Sequence, residues 1–546
     1  MSEKPAAIGP SDPGSSLGRG AAMITLATAV SRITGFLRVM AVAYAMGATY
    51  LANTYQTANT APNLIFELLA AGVLTSVFVP TFVEYLVKGD REAGWRAADA
   101  LTSVALVALM FVTLIVALAA PLIMRLLLIG VSDPILKGDS IALGTTFLRL
   151  FAPQILFYGA GMIMTGALHA HRRFALPAIA PIFNNIVVIG VYLLYARMRG
   201  DGSGDPSEVT TAQQWVLGAG TTLGVVAMTV CLLPGLRRLG WRFRFRFEPS
   251  HPAVKRGARL GVWALGYAGG YQAGLIVVLL LANRVEGGVA AYQWAYTFFY
   301  LPHALFGVPI FNVLFTAMAE HVAREEHGSV AGRLGDGVRM LFFILTPIAV
   351  ALALLAGPLT RLTLEYGLMS EAGAALVGRV LIAFAIGLPS YSLFLVFTRA
   401  FYALGDTKTP ALFNALTVAM ASISGAVLFY VLPTDWSVAG LAFGHSLAFA
   451  IGAVILGHRL LSRLSADLGS ETSVSLRRSL AGAAAAAAVM SVARWILPDH
   501  SKWLAGAAVL IVAVVGAVTY VWVMSRLRSA ELAALTELVG SAVRRS

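Results

Sequence analysis

The chain has 546 residues, of which 58% are hydrophobic and only 12% charged, whereas ordinary globular proteins have about 25% charged residues. So much apolar surface cannot be covered in one water-facing fold, so lipid must be the solvent. The single Cys231 excludes a disulfide framework and a thiolate metal cluster. The net charge of +13 is compatible with nucleic-acid binding, but in so apolar a chain it favours basic loops that face anionic lipid.

The chain begins with a segment, 1–20, that is rich in Gly, Ser and Pro and predicts a disordered cytoplasmic tail. No small-residue cleavage site follows the next apolar stretch, so it predicts a retained membrane helix rather than a signal peptide. A spanning helix needs about 20 mainly apolar residues, and about fourteen segments predict such helices in an all-α polytopic membrane protein. They are 21–46, 55–82, 97–120, 142–169, 176–196, 215–236, 260–283, 290–319, 340–356, 377–402, 410–432, 438–457, 480–497 and 503–524.

The loop charges predict the orientation of these spans. With the N-terminus in the cytoplasm, cytoplasmic segments and the span ends beside them hold 28 Lys and Arg residues, external loops and their adjoining span ends hold nine, and three lie deeper inside spans. Basic residues favour the cytoplasmic side of a membrane. The alternation therefore predicts an even number of spans and two cytoplasmic termini, the second being the tail 525–546.

The densest cytoplasmic loop, 237–259, alternates Arg with aromatic residues from Trp241 to Phe247. Such a pattern can bind single-stranded nucleic acid. Between two membrane spans it favours a position on lipid headgroups instead, with anionic membrane lipids as partners. We therefore predict an interfacial anchor and no nucleic-acid partner.

Two segments match at a constant spacing of 233 residues: Thr165-Gly-Ala-Leu-His-Ala followed by Pro177-Ala178, and Thr398-Arg-Ala-Phe-Tyr-Ala followed by Pro410-Ala411. A weaker match relates 62–85 to 302–325. Alanine-rich helices resemble each other by composition, but equal spacing at equivalent topological positions favours a duplication. We predict two six-helix bundles, 21–236 and 260–457, related by a parallel repeat, and a terminal helix pair within 458–524. In transporters with parallel repeats, the substrate site lies between the halves.

The first span carries two arginines near the bilayer centre, Arg32 and Arg38, where a charge costs about 2.5–3.5 kcal/mol on insertion scales. Ser31, Gly35 and Arg38 share one stripe of an ideal helix, and Gly35 leaves room for a ligand to approach the backbone. Guanidinium groups bind phosphate bidentately, so these residues predict a phosphate-binding site. The alternative is that the arginines pair with a buried acid.

Asn63 and Glu67 on the second span complete the predicted substrate-binding set. Glu67 either partners an arginine or changes protonation during transport. His303 and His445 are lone intramembrane histidines, predicted to be hydrogen-bonded structural residues rather than metal ligands.

The sequence has no paired-carboxylate metal cluster, no Walker loop and no soluble domain large enough for a nucleotide. We therefore predict no catalytic residues, no metal, no cofactor and no ATP, and the protein is not expected to be an enzyme. No cluster of buried aspartates indicates a sodium site, so no coupling ion is predicted either.

Several stretches resemble signatures of the lipid II flippase family (MurJ, also called MviN), a branch of the multidrug/oligosaccharidyl-lipid/polysaccharide exporter superfamily. They are distributed from the first span to the eleventh: Ser31-Arg32-Ile-Thr-Gly35-Phe-Leu-Arg38, Ala61-Pro-Asn-Leu, Phe78-Val-Pro-Thr-Phe-Val-Glu-Tyr85, Arg173-Phe-Ala-Leu-Pro177, Gly357-Pro-Leu-Thr360 with Glu365-Tyr-Gly367, and Phe401-Tyr-Ala-Leu-Gly-Asp406-Thr-Lys-Thr-Pro410.

The resemblance implies two six-helix bundles around a cationic cavity, with Arg32 and Arg38 lining it, and a lipid-facing groove formed by the last two helices. It implies alternating access that carries an undecaprenyl-pyrophosphate-linked substrate, lipid II, to the outer leaflet of the bacterial cytoplasmic (inner) membrane. This chain departs from the family at four positions: Phe66 and Thr297 stand where the family commonly has arginine, and Val39 and Asn53 where it commonly has an acid.

Three alternatives to a lipid II flippase remain open. The substrate could be another polyprenyl-linked glycan. An exporter of drug-like cations fits less well, because it would need buried acids rather than arginines. The missing arginines are also compatible with a transport-deficient membrane scaffold that recruits cell-wall synthesis enzymes.

Overall fold

A computed structural model describes residues 13–73, 91–241, 243–252, 254–255, 272–324, 326–497 and 502–543. Within these ranges the chain is helical and has no strand. The first nine helices are α1 Pro13–Met46, α2 Tyr50–Val73, α3 Arg91–Leu127, α4 Pro134–Phe151, α5 Gln154–Ala170, α6 Ala175–Arg199, α7 Thr211–Val230, α8 Leu233–Arg238 and α9 Gln272–Ala282. The remaining helices are α10 Gly288–Pro302, α11 Val308–Ala323, α12 His327–Leu364, α13 Glu371–Ile386, α14 Leu388–Ala403, α15 Lys408–Val431, α16 Ser437–Leu464, α17 Gly469–Ile496, α18 Lys502–Arg526 and α19 Ala530–Val543.

The described part of the chain contains 11 helices or fused helix pairs that are long and apolar enough to cross a membrane, or 12 if α13 and α14 form one bent span. The prediction of an all-helical polytopic membrane protein is therefore confirmed. The predicted spans 55–82 and 260–283 fall partly outside the described residues. The count of fourteen and the two six-helix bundles stay predictions.

Local chemistry explains where several helices begin. The side chain of Asp133 accepts the backbone N–H groups of Ile135 and Leu136 at 2.8 and 3.0 Å, at the start of α4. Thr210 and Gln213 form a reciprocal capping box at the start of α7. These side chains satisfy N–H groups that have no partner inside the helix.

Some boundaries differ from the sequence-based ones. Helix α1 begins at Pro13, inside the predicted tail 1–20, and α19 lies inside the predicted tail 525–546. The predicted span 142–169 consists of α4 and α5, which are separated at Pro153, and the predicted span 377–402 bends by 48° between α13 and α14. Proline has no backbone N–H to donate and interrupts a helix at that point.

Helix boundaries follow the spacing of the sequence repeat. Helix α5 ends at Ala170 and α14 ends at Ala403; α6 begins at Ala175 and α15 begins at Lys408, so both boundaries recur after 233 residues. The weaker repeat includes 74–85, which lies outside the described residues. Equivalent helix–turn–helix units at one spacing support the predicted duplication.

The loops predicted to be external meet at one end of the molecule, which we call the outer end. The backbone N–H of Leu368 donates to the carbonyl of Tyr44 at 3.0 Å. The side-chain amide of Asn53 donates to the carbonyl of Val285 at 2.8 Å. Helices from both parts of the sequence are thus joined at the outer end, and the opposite end is called the inner end below.

Candidate substrate-binding cavity

A polar cavity of about 230 Å³ lies between helices of the first half of the chain and α10 of the second half. Among the described lining residues, Arg38 is the cation. The other polar lining residues are Gln56, Asn59, Thr60, Asn63, Tyr158, Asn184, Tyr192, Thr221, Gln293, Trp294 and Thr297. A neighbouring cavity of about 490 Å³ shares Arg38, Thr60, Asn63 and Gln293 and reaches Glu67, Ser422 and His445.

Arg38 pairs with no Asp or Glu in the described ranges of the chain. A guanidinium group cannot lose its proton, so its charge has to be balanced by a ligand or by water. This argues against the alternative that Arg38 is permanently neutralised by a buried acid.

Glu67 is occupied elsewhere. Its Oε2 accepts the side-chain amide of Gln272 at 2.6 Å. Glu67 lines the larger cavity together with Arg38, but no ion pair joins it to Arg32 or Arg38. It is therefore an acceptor in the cavity wall that also links α2 to α9.

The polar wall on α2 is pre-arranged by hydrogen bonds along the helix. The Asn63 amide donates to the carbonyl of Asn59 at 2.9 Å, and the Thr60 hydroxyl donates to that of Gln56 at 2.7 Å. Gln293 on α10 donates to the Thr60 hydroxyl at 3.0 Å, across the boundary between the halves. Amide and hydroxyl groups of this kind recognise neutral polar ligands through hydrogen bonds.

The structure separates the predicted binding residues into three groups, the third of which is Arg32 alone. Arg38, Asn63 and Glu67 line the cavities. Ser31 and Gly35 face α6 instead: Asn185 donates to the Ser31 carbonyl at 3.3 Å, and a Cβ on Gly35 would lie 3.7 Å from the Asn185 amide nitrogen. That distance is ordinary contact, and a role of Gly35 in ligand approach stays a prediction.

Arg32 is exposed, and its guanidinium carbon lies 5.3 Å from the centre of the Tyr300 ring on α10. It lines neither of the two cavities described here. Arg32 therefore contacts the second half of the chain through an aromatic face rather than through the shared cavity.

Sequence reasoning missed most of the neutral cavity wall. A signal was present on α2, where polar residues recur every three or four positions at Gln56, the adjacent pair Asn59 and Thr60, Asn63 and Glu67. That spacing places polar groups on one face of a helix. The residues from α6 and α10 gave a weaker signal, because each of these helices contributes only two or three polar residues to the cavity.

Three positions of departure from the family can be located. Val39 and Thr297 line the smaller cavity, and the Thr297 hydroxyl donates to the Gln293 carbonyl at 3.1 Å. Asn53 lies at the outer end, where its Oδ1 accepts the backbone N–H groups of Val289 and Ala290 at 3.0 and 3.4 Å. The side chain of Phe66 lies outside the described residues.

The two intramembrane histidines differ from each other. His303 is hydrogen-bonded to Ser392 at 2.8 Å, as predicted. His445 lines the larger cavity and packs among aromatic rings, and its Nδ1 has no hydrogen-bond partner among the described residues, so a hydrogen bond of His445 stays a prediction. The described ranges contain no group of three or more His, Cys, Asp or Glu side chains that could hold a metal ion.

Long apolar helices around a polar cavity between two parts of the chain define a polytopic membrane transporter. The family model "Lipid II flippase MurJ" matches residues 42–514, so the chain belongs to the lipid II flippase MurJ family.

Similar proteins agree with this assignment. A probable lipid II flippase MurJ from Rhizobium tropici is 31% identical over 79% of this chain and 78% of its own length. A second one, from Rhizobium meliloti (strain 1021), is 29% identical over 88% of this chain and 86% of its own length.

Solved structures show the same fold. A lipid II flippase MurJ in an inward closed conformation aligns with a TM-score of 0.74 at 20% identity, covering 92% of this chain and 98% of that one. An inward-facing multidrug resistance transporter of the MATE family aligns with a TM-score of 0.64 at 14% identity, covering 80% of this chain and 94% of that one.

Proposed function

We propose that this protein is a flippase that moves lipid II from the cytoplasmic to the outer leaflet of the bacterial inner membrane by alternating access. One observation carries the proposal beyond family membership: Arg38 lies in a polar cavity between the two halves of the chain and has no acidic partner among the described residues. A pyrophosphate headgroup is the kind of ligand that such a cation holds through charge-assisted hydrogen bonds.

The neutral wall has a separate role in this proposal. Gln56, Asn59, Asn63 and Gln293 offer amide donors and acceptors beside Arg38. Sugar hydroxyls and peptide groups are matched by such uncharged partners. The polyprenyl chain stays in the lipid, because moving it into a polar cavity would forfeit its hydrophobic burial.

We further infer that the basic loop 237–259 lies on anionic lipid headgroups. The indole N–H of Trp241 donates to Asp99 at 2.9 Å, and the backbone N–H of Arg246 donates to Ser103 at 2.8 Å. These two contacts place the loop beside the part of α3 where the apolar stretch of that helix begins. Phe243 and Phe245 are exposed in this part of the loop. Aromatic rings and arginines at that depth suit a membrane interface.

Arg38→Ala tests the transport mechanism. We expect lipid II flipping by purified protein in vesicles to fall about 10- to 100-fold, since a hydrogen bond to a charged group contributes about 1.5–3 kcal/mol. Arg38→Lys should retain part of the activity, because it keeps the charge but not the planar guanidinium. Arg149→Ala is the matched control, because Arg149 is an exposed arginine within α4 that donates to the Ala117 carbonyl.

The same set of variants separates transport from scaffolding. A scaffold would support cell-wall synthesis in the host with Arg38→Ala as well as with the parent chain, and that result would contradict the proposal. Comparing lipid II with a polyprenyl-phosphate glycan in the same vesicles distinguishes the two substrates. Depletion in the host should make lipid II accumulate in the cytoplasmic leaflet.

A further inference from the structure

Helices α1 and α10 touch on the inner side of the cavity through two side-chain pairs. The rings of Phe36 and Phe298 meet edge to face with centroids 5.0 Å apart. The Arg32 guanidinium lies over Tyr300 at 5.3 Å. Both pairs lie further from the outer end than Arg38, and Arg32 is about 9 Å beyond it along the helix axis. We call these four residues the inner seam.

At the inner seam, Arg32 is available to bind an anionic ligand. It pairs with no Asp or Glu among the residues that the structure describes, and its side chain is exposed. Its partner ring is firmly placed: Tyr300 stacks on Tyr296 with centroids 6.0 Å apart and contacts His303 at 5.4 Å. Tyr296 in turn lines the larger cavity. The aromatic contact of Arg32 therefore leads directly to the cavity wall.

An anionic ligand competes with this contact. A cation–π interaction at an exposed site is weaker than a bidentate guanidinium–phosphate pair, which forms two charge-assisted hydrogen bonds. A phosphate group that reaches Arg32 would displace it from Tyr300. Only the Phe36–Phe298 contact would then join α1 to α10 in the inner seam.

We propose that Tyr300 is a positioning residue that holds Arg32 across the inner seam, and that a phosphate-bearing lipid headgroup opens the seam by taking Arg32 from the ring. This inference rests on the proposed function and assigns Arg32 a role distinct from that of Arg38. Arg38 binds the phosphate inside the cavity. Arg32 binds the arriving phosphate first, and by leaving the Tyr300 ring it opens the inner seam.

The test measures access to the cavity. In a Cys231→Ser background, Thr297→Cys places a single thiol in the cavity wall, and its rate of labelling by a maleimide is followed in nanodiscs. Undecaprenyl pyrophosphate should raise the rate when Tyr300 is present. Inorganic pyrophosphate added alone should raise it less, because a lipid headgroup arrives at membrane depth; an equal response would assign the effect to free phosphate and overturn the lipid part of the proposal.

Tyr300→Leu removes the ring and should raise the labelling rate without ligand by about 2- to 30-fold, the range expected for loss of one cation–π contact. Tyr300→Phe keeps the ring and should label like the parent. Arg32→Lys should also label like the parent without ligand, but respond less to the lipid because it lacks the planar fork.

Two outcomes would overturn the proposal: Tyr300→Leu labelling at the parent rate, or Tyr300→Phe labelling as fast as Tyr300→Leu. A folding defect is recognised separately by size-exclusion chromatography, and the Arg32→Lys comparison still tests the exchange in that case. If undecaprenyl pyrophosphate fails to bind the parent chain at all, the proposed function fails, while the ligand-free rates still decide whether Tyr300 closes the seam.

Discussion

Asp406 shows how a single residue in a family signature acts structurally. Its carboxylate accepts the backbone N–H groups of Lys408 and Thr409, each at 3.0 Å, and forms an ion pair with Arg463 on α16. The backbone N–H of Thr409 is the main reason that the pKa of Asp406 is lowered. The Asp406-Thr-Lys-Thr-Pro410 signature is therefore the cap of α15 and its link to α16.

We predict that Asp406→Ala lowers the free energy of unfolding by about 1 kcal/mol, the usual contribution of a helix cap. Asp406→Asn should lose less, since its amide oxygen still accepts both N–H groups. Thermal unfolding in detergent measures both. Equal melting temperatures for Asp406→Ala and the parent at neutral pH would contradict the capping role.

The same carboxylate predicts a pH dependence. Because its pKa is lowered in the folded protein, its contribution is present at neutral pH and is lost as the pH falls through that pKa. Between about pH 5 and about pH 3, near the ordinary aspartate range, the difference in stability between the parent and Asp406→Asn should therefore shrink. A difference that stays constant over this range would show that the charge does not contribute.

At the scale of helices, the packing at the outer end is stabilised because a side chain of α2 caps the N-terminus of α10. Helix α10 begins at Gly288, and its first N–H groups are accepted by Asn53 on α2. Gly287 before it has φ of 67°, and a Cβ there would lie 2.5 Å from the carbonyl oxygen of Ala48. Only glycine fits this left-handed position against a rigid backbone atom.

Gly287→Ala should consequently loosen the outer end. The left-handed conformation costs a residue with a Cβ about 1–2 kcal/mol, and the contact with Ala48 adds to that cost. We expect a lower melting temperature and faster labelling of a cavity thiol from the outer side. Gly138→Ala is the control, since no atom lies within 4 Å of its added Cβ; equal effects of both variants would contradict this account.

At the scale of the whole molecule, the terminal helices are attached to α12. The Tyr520 hydroxyl donates to the Phe343 carbonyl at 2.8 Å. Arg339 on α12 lies 2.6 Å from Asp336, 3.8 Å from Glu471 on α17 and 3.7 Å from Glu531 on α19. One arginine thus joins three helices at the inner end.

Glu531 is the buried member of this group. Burial alone would raise its pKa, but hydrogen bonds from Ser529 and Ser475, together with Arg339, outweigh that effect and lower it. The attachment of α19 is therefore present at neutral pH and should weaken as the pH falls through that lowered pKa.

Arg339→Ala should release α19. Glu531 would keep its hydrogen bonds from Ser529 and Ser475, but it would remain a buried carboxylate without a nearby cation, at a cost of about 1–3 kcal/mol. Limited proteolysis within 530–543 should become several times faster than in the parent. Arg333→Ala is the control, because Arg333 is exposed and lies 3.9 Å from Asp336, and such surface pairs contribute about 0–1 kcal/mol. Unchanged proteolysis in Arg339→Ala would contradict this role of Arg339.

The sequence by itself determined that lipid is the solvent and where most helices lie, because these properties depend on local hydrophobicity and chain length. The spacing of 233 residues likewise located the two equivalent turns before α6 and α15. Only the tertiary structure decided which neighbour each side of α1 meets. Ser31 and Gly35 face α6, Arg38 enters the cavity and Arg32 reaches Tyr300. A helix places its side chains at fixed angles about its axis. Which neighbour each angle faces depends on how the helix packs against segments that are distant in the sequence, so a local stretch of sequence does not contain this information.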